Sequence, residues 1–233
     1  MTPTGRRGWE VMINGVEVTN LCGGAPRCLE RHVATVLAYI SPSDLRGLGQ
    51  IWLDDRLPEP AEDSPDFYRE VFSSPEPFGG WYTEATASES ASIFLHITDI
   101  LGGLPRFLWW TSTGTIMIAR TLAHEIGHHV IAIMCVDSPN NAAEEREADR
   151  YAVQVLLKME EQWRNRLAVL FLMRLGEKQL AMGIDCFEKG DYRGALLHFG
   201  RANRLWTKRG DDGDWYRRAL ERCGLQPSHI RTE

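Results

Sequence analysis

The chemically most suggestive feature of this 233-residue chain is a pair of histidines four residues apart, with a glutamate after the first. His124 and His128 lie in an apolar stretch that predicts a buried helix from about Thr115 to Cys135. On a helix both rings project from one face, one turn apart, so two imidazole nitrogens can reach one Zn²⁺. Glu125 lies beside them and is expected to hold a water as general base. The spacing predicts a hydrolytic zinc site, whereas the alternative is a hydrogen-bonded polar cluster without metal.

An acidic cluster further along the chain offers the missing third ligand, because catalytic zinc usually has three protein ligands and a water. The cluster runs Glu144-Glu145-Arg146-Glu147-Ala148-Asp149, after a Ser-Pro-Asn-Asn turn. Glu145 and Asp149 share a helix face, so Glu145 is expected to bind the metal. Asp149 is then expected to accept a hydrogen bond from the far nitrogen of a ligating histidine. Glu144 and Glu147 are expected in solvent, and a face of Glu-Arg pairs is the alternative for the whole cluster.

The two-helix pattern resembles the gluzincin peptidases, and it is most similar to the HtpX-like and CAAX-protease group and to the ImmA/IrrE-type peptidases. The matching residues are His124, Glu125, His128, Glu145, Ala148 and Asp149. The resemblance covers roughly residues 91–151 and implies a zincin fold, peptide hydrolysis and the ligand roles above. The HtpX-like and CAAX enzymes cross the membrane several times. This chain has no apolar stretch long enough to span a bilayer, so that part of the resemblance is not carried over.

Four further residues are expected to have roles other than metal binding. Tyr151 is the nearest candidate for the family's oxyanion-stabilising residue. His129 is turned about 100° from His128 on a helix, so it is expected to pack or support the site and not to bind metal. His96, at the end of a strand candidate, is expected to be structural. Gly127 either permits the close approach of a neighbouring backbone or simply fills a crowded position.

The N-terminal part of the chain carries short strand signals, and the later part is helical. The elements expected are a hairpin over Trp9 to Asn20, a helix over Pro26 to Ile40, and strands over Gln50 to Asp54, Trp81 to Glu84 and Ala91 to Ile97. Leu57 to Gly80 contains five prolines and many acids, so it is expected to be a surface loop, either a mobile insertion or a lid. This order predicts an α+β, zincin-like domain over residues 1–165 with a small antiparallel sheet. Ala91 to Ile97 is either the sheet edge that pairs with an extended substrate or an internal strand.

The remaining residues, 166–233, are expected to form a helical module that resembles one tetratricopeptide repeat from Gly176 onward. Small Gly183 and Ala195 let two helices touch, and Gly190-Asp191 makes the turn. The repeat lacks its first signature tryptophan, where Gln179 stands. The module either completes the core or offers a groove to a protein partner, and it is expected to dock on the first domain.

Composition narrows the functional class. The net charge of −6 argues against nucleic acid as the main partner. The five cysteines include no C-x-x-C pair, and no signal peptide or membrane span is evident, so a cytoplasmic setting is expected. The sequence thus predicts a soluble zinc metallopeptidase that uses Glu125 as general base on a restricted protein or peptide substrate. The alternative is a non-enzymatic adaptor that binds proteins through its repeat on a zincin scaffold.

Overall fold

The computed structural model describes residues 9–22, 28–55, 79–87, 89–134, 141–205, 215, 218–219 and 221–223. The strands are β1 (Trp9–Ile13), β2 (Val16–Asn20), β3 (Leu48–Asp54), β4 (Gly80–Thr83) and β5 (Ala91–His96). The helices are α1 (Cys28–Leu37), α2 (Ile97–Leu101), α3 (Ser112–Ile133), α4 (Asn141–Glu160), α5 (Trp163–Glu188) and α6 (Tyr192–Arg204), with a 3₁₀ turn over Arg106–Leu108. The α+β class is therefore as expected. The acidic, proline-rich segment lies outside the described residues apart from Gly79 and Gly80.

The first two strands form the expected hairpin. Asn14 and Gly15 join them with φ of 52° and 84°, and Ile13 pairs with Val16. Two consecutive left-handed residues make the turn whose twist matches antiparallel strands, which is why Asn-Gly is favoured there. The Asn14 side chain also donates to the carbonyl oxygen of Leu37 at 3.1 Å, so the turn is fixed against the end of α1.

The sheet is mixed, so the expectation of an antiparallel sheet is wrong at its centre. The strand order is β1-β2-β3-β5-β4, and the pairs β2–β3 and β3–β5 are parallel. The reason is the crossover: α1 carries the chain back across the sheet between β2 and β3, so β3 runs in the same direction as β2. Only the outer pairs β1–β2 and β4–β5 are antiparallel.

One face of this sheet is covered by helices. Ile51 and Leu53 on β3, and Ile93 and Leu95 on β5, are completely buried at alternate positions. α3 packs against α1, α2, β4 and β5, and its apolar residues are buried on several sides. α3 begins after Thr111, whose hydroxyl oxygen accepts a hydrogen bond from the Thr113 amide at 3.2 Å. The helix that carries the histidines is thereby held inside the main core.

The long helix α5 links two apolar cores. Its first half places Ala168, Val169 and Leu172 in the main core, together with the sheet and α3. Its second half packs on α6 around a smaller core of Leu180, Ala195, Phe199, Ala202 and Ala219. The tail is thus joined to the first domain by one continuous helix. The division between residues 165 and 166 and the tetratricopeptide identity stay predictions.

The contact between α5 and α6 uses the small residue that the sequence singled out. A Cβ added to Gly183 would lie 2.5 Å from the ring of Phe199, so only glycine allows this packing unchanged. Gly190 makes the turn with a φ of 81°. The Asp191 carboxylate then caps α6 by accepting from the Gly194 amide at 3.0 Å.

Among the described residues, no helix combines the length and the apolar character needed to cross a membrane.

Candidate metal centre

Three side chains from two helices converge on one point. The Nε2 atoms of His124 and His128 are 3.2 Å apart. The Glu145 carboxylate reaches across from α4, with Oε2 3.3 Å from the His124 Nε2 and Oε1 3.6 Å from the His128 Nε2. Ligand atoms of these three residues all lie within 4.8 Å of one another. This half-buried group could hold a metal ion.

The spacing of these atoms matches a small tetrahedral ion. Two nitrogens that each lie about 2.0–2.1 Å from a tetrahedral zinc are about 3.3–3.4 Å apart. The three measured separations, 3.2, 3.3 and 3.6 Å, scatter around that value. Two imidazoles and one carboxylate are also a donor set found in catalytic zinc sites. The residues present therefore fit the group that the sequence predicts.

The outer nitrogens of both imidazoles are held by carboxylates. The Nδ1 of His124 is 2.9 Å from Oδ1 of Asp149, and the Nδ1 of His128 is 2.9 Å from Oε1 of Glu144. A carboxylate accepts, so each Nδ1 carries the proton and each Nε2 can present a lone pair to the centre. Each Nδ1 therefore donates to its carboxylate, and both rings are oriented with Nε2 toward the centre before any ion binds.

Glu144 was expected in solvent, but its carboxylate contacts His128, so that expectation is wrong. α3 and α4 run antiparallel, so the later histidine of α3 lies opposite the earlier acid of α4. The first turn of α4 therefore brings Glu144 to His128, while Asp149, more than a turn later, reaches His124. Glu147, in contrast, is exposed and pairs with Arg150.

The close approach of the two helices depends on Gly127. A Cβ at this position lies 2.7 Å from the Cα of Ala148 and 3.0 Å from its carbonyl oxygen. Ala148 is itself fully buried. Gly127 on α3 and Ala148 on α4 are both small, so the two helix backbones are in contact at this point. This contact brings Glu145 within reach of both histidine rings.

Glu125 lies beside the converging atoms and is 6% exposed. Burial raises the pKa of its carboxyl to about 7. The nearby positive charge of His124 opposes this shift, and the negative charge of Glu145 adds to it. A group with this pKa gains and loses a proton readily near neutral pH, as a general acid-base residue must.

The pKa of His124 is dominated by its carboxylate partners. Burial alone lowers this pKa, but the hydrogen bonds to Asp149 and Glu145 and the charge of Glu125 together raise it to about 10. A raised pKa favours the protonated, cationic form of His124 in the metal-free chain. An ion that binds here must displace that proton, so metal affinity falls as the pH falls.

A cleft of about 480 Å³ opens onto His124 and Glu125. Its walls come from β4, α2, α3 and α4, and they include Gly79, Gly80, Asp99, Ile100, Met117, Arg120, Thr121, Ala152, Val153 and Leu156. Sequence reasoning missed these residues. Arg120 had a usable signal, because it lies four residues before His124 and so shares its helix face. The others depend on how distant elements pack.

The strand beside the cleft is β4, not β5. β5 lies between β3 and β4, so the expectation that Ala91 to Ile97 forms the sheet edge is wrong, and the internal alternative holds. Among the described strands, β4 pairs on one side only. Gly80 at its start packs against Thr121 of α3, where an added Cβ lies 3.1 Å from the threonine methyl. The sheet edge thus runs directly past the cleft.

Tyr151 lies away from the cleft. Its hydroxyl donates to Oδ2 of Asp44 at 2.7 Å, and burial together with that acid raises its pKa. Its ring lines a separate cavity beside Gly127 and Glu144, on the other side of α4. The structure therefore does not bring the oxyanion candidate to the converging atoms.

His129 and His96 are both engaged in structural contacts. His129 is 1% exposed and bonds the Tyr82 hydroxyl at 3.2 Å and the Arg46 carbonyl at 3.1 Å. It thereby ties the helix of the ligands to the edge strand β4. His96 is 2.7 Å from the Asp99 carboxylate, and this hydrogen bond raises its pKa against the opposing effect of burial.

Comparison with known protein families, with curated proteins and with solved structures finds no match for this chain.

Proposed function

We propose that this chain is a zinc-dependent metallopeptidase that hydrolyses peptide bonds in a restricted set of protein substrates. The observation that carries the proposal is the convergence of His124, His128 and Glu145, with Glu125 buried beside them at the end of a cleft. A cytoplasmic location and this substrate class are part of the proposal.

The chain's own residues supply the positioning and the proton transfers. His124, His128 and Glu145 would hold the ion, and Asp149 and Glu144 keep both imidazoles oriented toward it. A zinc ion held by these residues would supply Lewis acidity toward a peptide carbonyl and a water molecule. Glu125 then accepts a proton from the attacking water and gives it to the leaving amine. Its pKa of about 7 suits both directions of that transfer.

The surroundings of the cleft support an extended peptide as substrate. Among the strands that the structure describes, β4 is paired on one side only, next to Gly79 and Gly80, and an extended chain can add to a sheet edge as a further strand. Ile100, Met117 and Leu156 provide apolar surface for a substrate side chain. In this arrangement backbone hydrogen bonds would give affinity for any extended peptide, and the cleft would select among substrate side chains.

The test separates metal binding from catalysis. Elemental analysis after supply of zinc at neutral pH should find about one ion per chain. Incubation with a synthetic peptide library, read by mass spectrometry, should show cleavage by the zinc-loaded chain. Glu125→Gln should keep the zinc and lose cleavage. Glu147→Gln is the matched control, since that residue is exposed and outside the site, and it should behave as the wild type.

Two outcomes contradict the proposal. A chain that binds no divalent metal has no site of this kind, and a Glu125→Gln variant that cleaves as fast as the wild type has another catalytic group. Zinc binding without cleavage of any library peptide favours the adaptor alternative.

A further inference from the structure

The first half of α5 has one buried face and one exposed face with an unusual composition. Asn165, Ala168, Val169 and Leu172 turn toward the core. On the other side, Trp163, Leu167, Leu170 and Phe171 are 66%, 57%, 48% and 44% exposed, respectively. Large apolar side chains grouped along one helix differ from the single exposed apolar residues that any surface carries, and they mark interaction sites. These four residues form the α5 ridge.

The spacing of the ridge is that of a helix seam. Trp163, Leu167 and Leu170 are separated by four and then three residues, which is the alternation that keeps one face against a parallel or antiparallel partner helix. Phe171 lies next to this line and widens it. A helix laid lengthwise along α5 can therefore meet the apolar side chains in sequence. Flat apolar surfaces, including lipid, have no requirement for that periodicity.

The charged side chains beside the ridge are mostly positive. Arg164, Arg166, Arg174 and Lys178 are all exposed, and Glu177 is the single acid between Trp163 and Lys178. In heptad terms Arg164, Arg166 and Lys178 occupy positions that flank the seam, where opposite charges select the partner. This local excess of positive charge stands in a chain with a net charge of −6. It therefore favours a partner that is acidic at its own flanking positions.

We infer that the α5 ridge is a docking surface for an amphipathic, acidic helix of another protein. Charge and spacing disfavour the other occupants. A second copy of this chain docked ridge to ridge would bring Arg164 and Arg166 against a like-charged surface, and a lipid surface has no use for the helical spacing of the ridge. The inference does not depend on catalysis, because the ridge lies on a different helix from the metal ligands.

A designed peptide tests this surface in the full-length chain. The probe is a fluorescein-labelled helix of about three heptads with leucine in the seam and glutamate at the flanking positions. The control peptide has the same leucine seam but lysine at the flanking positions. Fluorescence anisotropy should show the acidic peptide binding at least about tenfold more tightly than the basic one, with the difference shrinking as salt is raised.

Substitutions assign the binding to the ridge. Leu167→Glu should weaken the acidic peptide at least about tenfold. Leu197→Glu on α6 is the matched control, since Leu197 is 55% exposed and lies off the ridge, and it should bind as the wild type does. Reversal of Arg164 and Arg166 to glutamate should invert the preference, so that the basic peptide binds more tightly.

Four results overturn the inference. Equal binding of both peptides, or binding of neither, removes the acidic helix as occupant. A wild-type dimer in sedimentation that Leu167→Glu dissociates identifies a second copy instead. Cosedimentation with phosphatidylserine vesicles that depends on Leu167 identifies a membrane. A fall of several degrees in the melting temperature of Leu167→Glu, absent in Leu197→Glu, shows that another segment of the same chain covers the ridge.

Discussion

Replacement of Gly127 by alanine tests whether the metal centre depends on the close contact of α3 and α4. A Cβ at residue 127 lies 2.7 Å from the Cα of Ala148, whereas ordinary van der Waals contact begins at 3.4 Å. The atoms it meets are mostly backbone, which cannot rotate aside, so the helices must separate locally by about 0.7 Å or more. α4 moves away from α3 at this point.

The separation should affect metal binding more than folding. Glu145 lies one turn before Ala148 on α4, and both histidines lie on α3, so Glu145 moves away from them. Metal–ligand distances hold within about 0.2 Å, so a 0.7 Å displacement removes the carboxylate from the ion. We expect zinc affinity to fall about tenfold to a hundredfold, or further. Overpacking costs about 1–3 kcal/mol, and alanine is about 1 kcal/mol better than glycine in a helix, so the net stability loss is about 0–2 kcal/mol.

Two measurements separate these effects. Competition with a chromophoric chelator gives the zinc affinity, and urea unfolding in the presence of EDTA gives the stability of the metal-free chain. Gly103→Ala is the control, because an added Cβ there meets no atom within 4 Å, and both quantities should stay at wild-type values. If Gly127→Ala is destabilised yet binds zinc as tightly as the wild type, Glu145 is not a ligand held by this helix contact.

Three further predictions address the outer carboxylates, a buried histidine and the tail. Glu144→Gln and Asp149→Asn should each lower zinc affinity about ten- to a hundredfold, while Glu147→Gln leaves it unchanged; equal affinities would remove the two acids from the site. Burial lowers the pKa of His32 in the fold, so its contribution to stability is fully present above about pH 6.5 and is lost as the pH falls. The urea midpoint should therefore drop more between pH 7.5 and 5.0 for the wild type than for His32→Gln, and equal drops would contradict this. Gly183→Leu should lower the melting temperature but leave zinc affinity within about twofold, because the smaller core does not include the metal residues; a large loss of affinity would show that the two cores are coupled.

The parts of the site that sequence could predict are those set by helical periodicity within one element. The four-residue spacing of His124 and His128, and of Glu145 and Asp149, fixes each pair on one face without reference to anything else. The antiparallel contact then follows from the short connection between α3 and α4. Glu144 was misjudged because its direction depends on the longitudinal register of the two helices. That register is set by the Gly127–Ala148 contact, which no local pattern encodes.

The sheet shows the same limit at larger scale. Alternating apolar residues and the Asn14-Gly15 turn predict the β1–β2 hairpin, since all the information lies within a dozen residues. The parallel pairing of β3 with β5 and the position of β4 beside β5 depend on contacts between elements that are far apart in the sequence. Sequence pattern therefore predicts the residues of β4 and β5 as strands but leaves open which of the two forms the edge beside the cleft.

The proton inventory of the cluster favours an ion over a metal-free polar cluster. Both Nδ1 protons go to Asp149 and Glu144, so each imidazole can offer the centre only a proton on Nε2. The two Nε2 atoms face each other at 3.2 Å, so only one of them can carry a proton in that contact. The Glu145 oxygens lie 3.3 and 3.6 Å from these same nitrogens, so the imidazoles share one Nε2 proton between their own contact and this carboxylate. The buried Glu125, with a pKa raised to about 7, adds a partial negative charge beside it at neutral pH. A divalent cation satisfies both nitrogen lone pairs and the carboxylate together, and it offsets the charge that one shared proton leaves uncompensated.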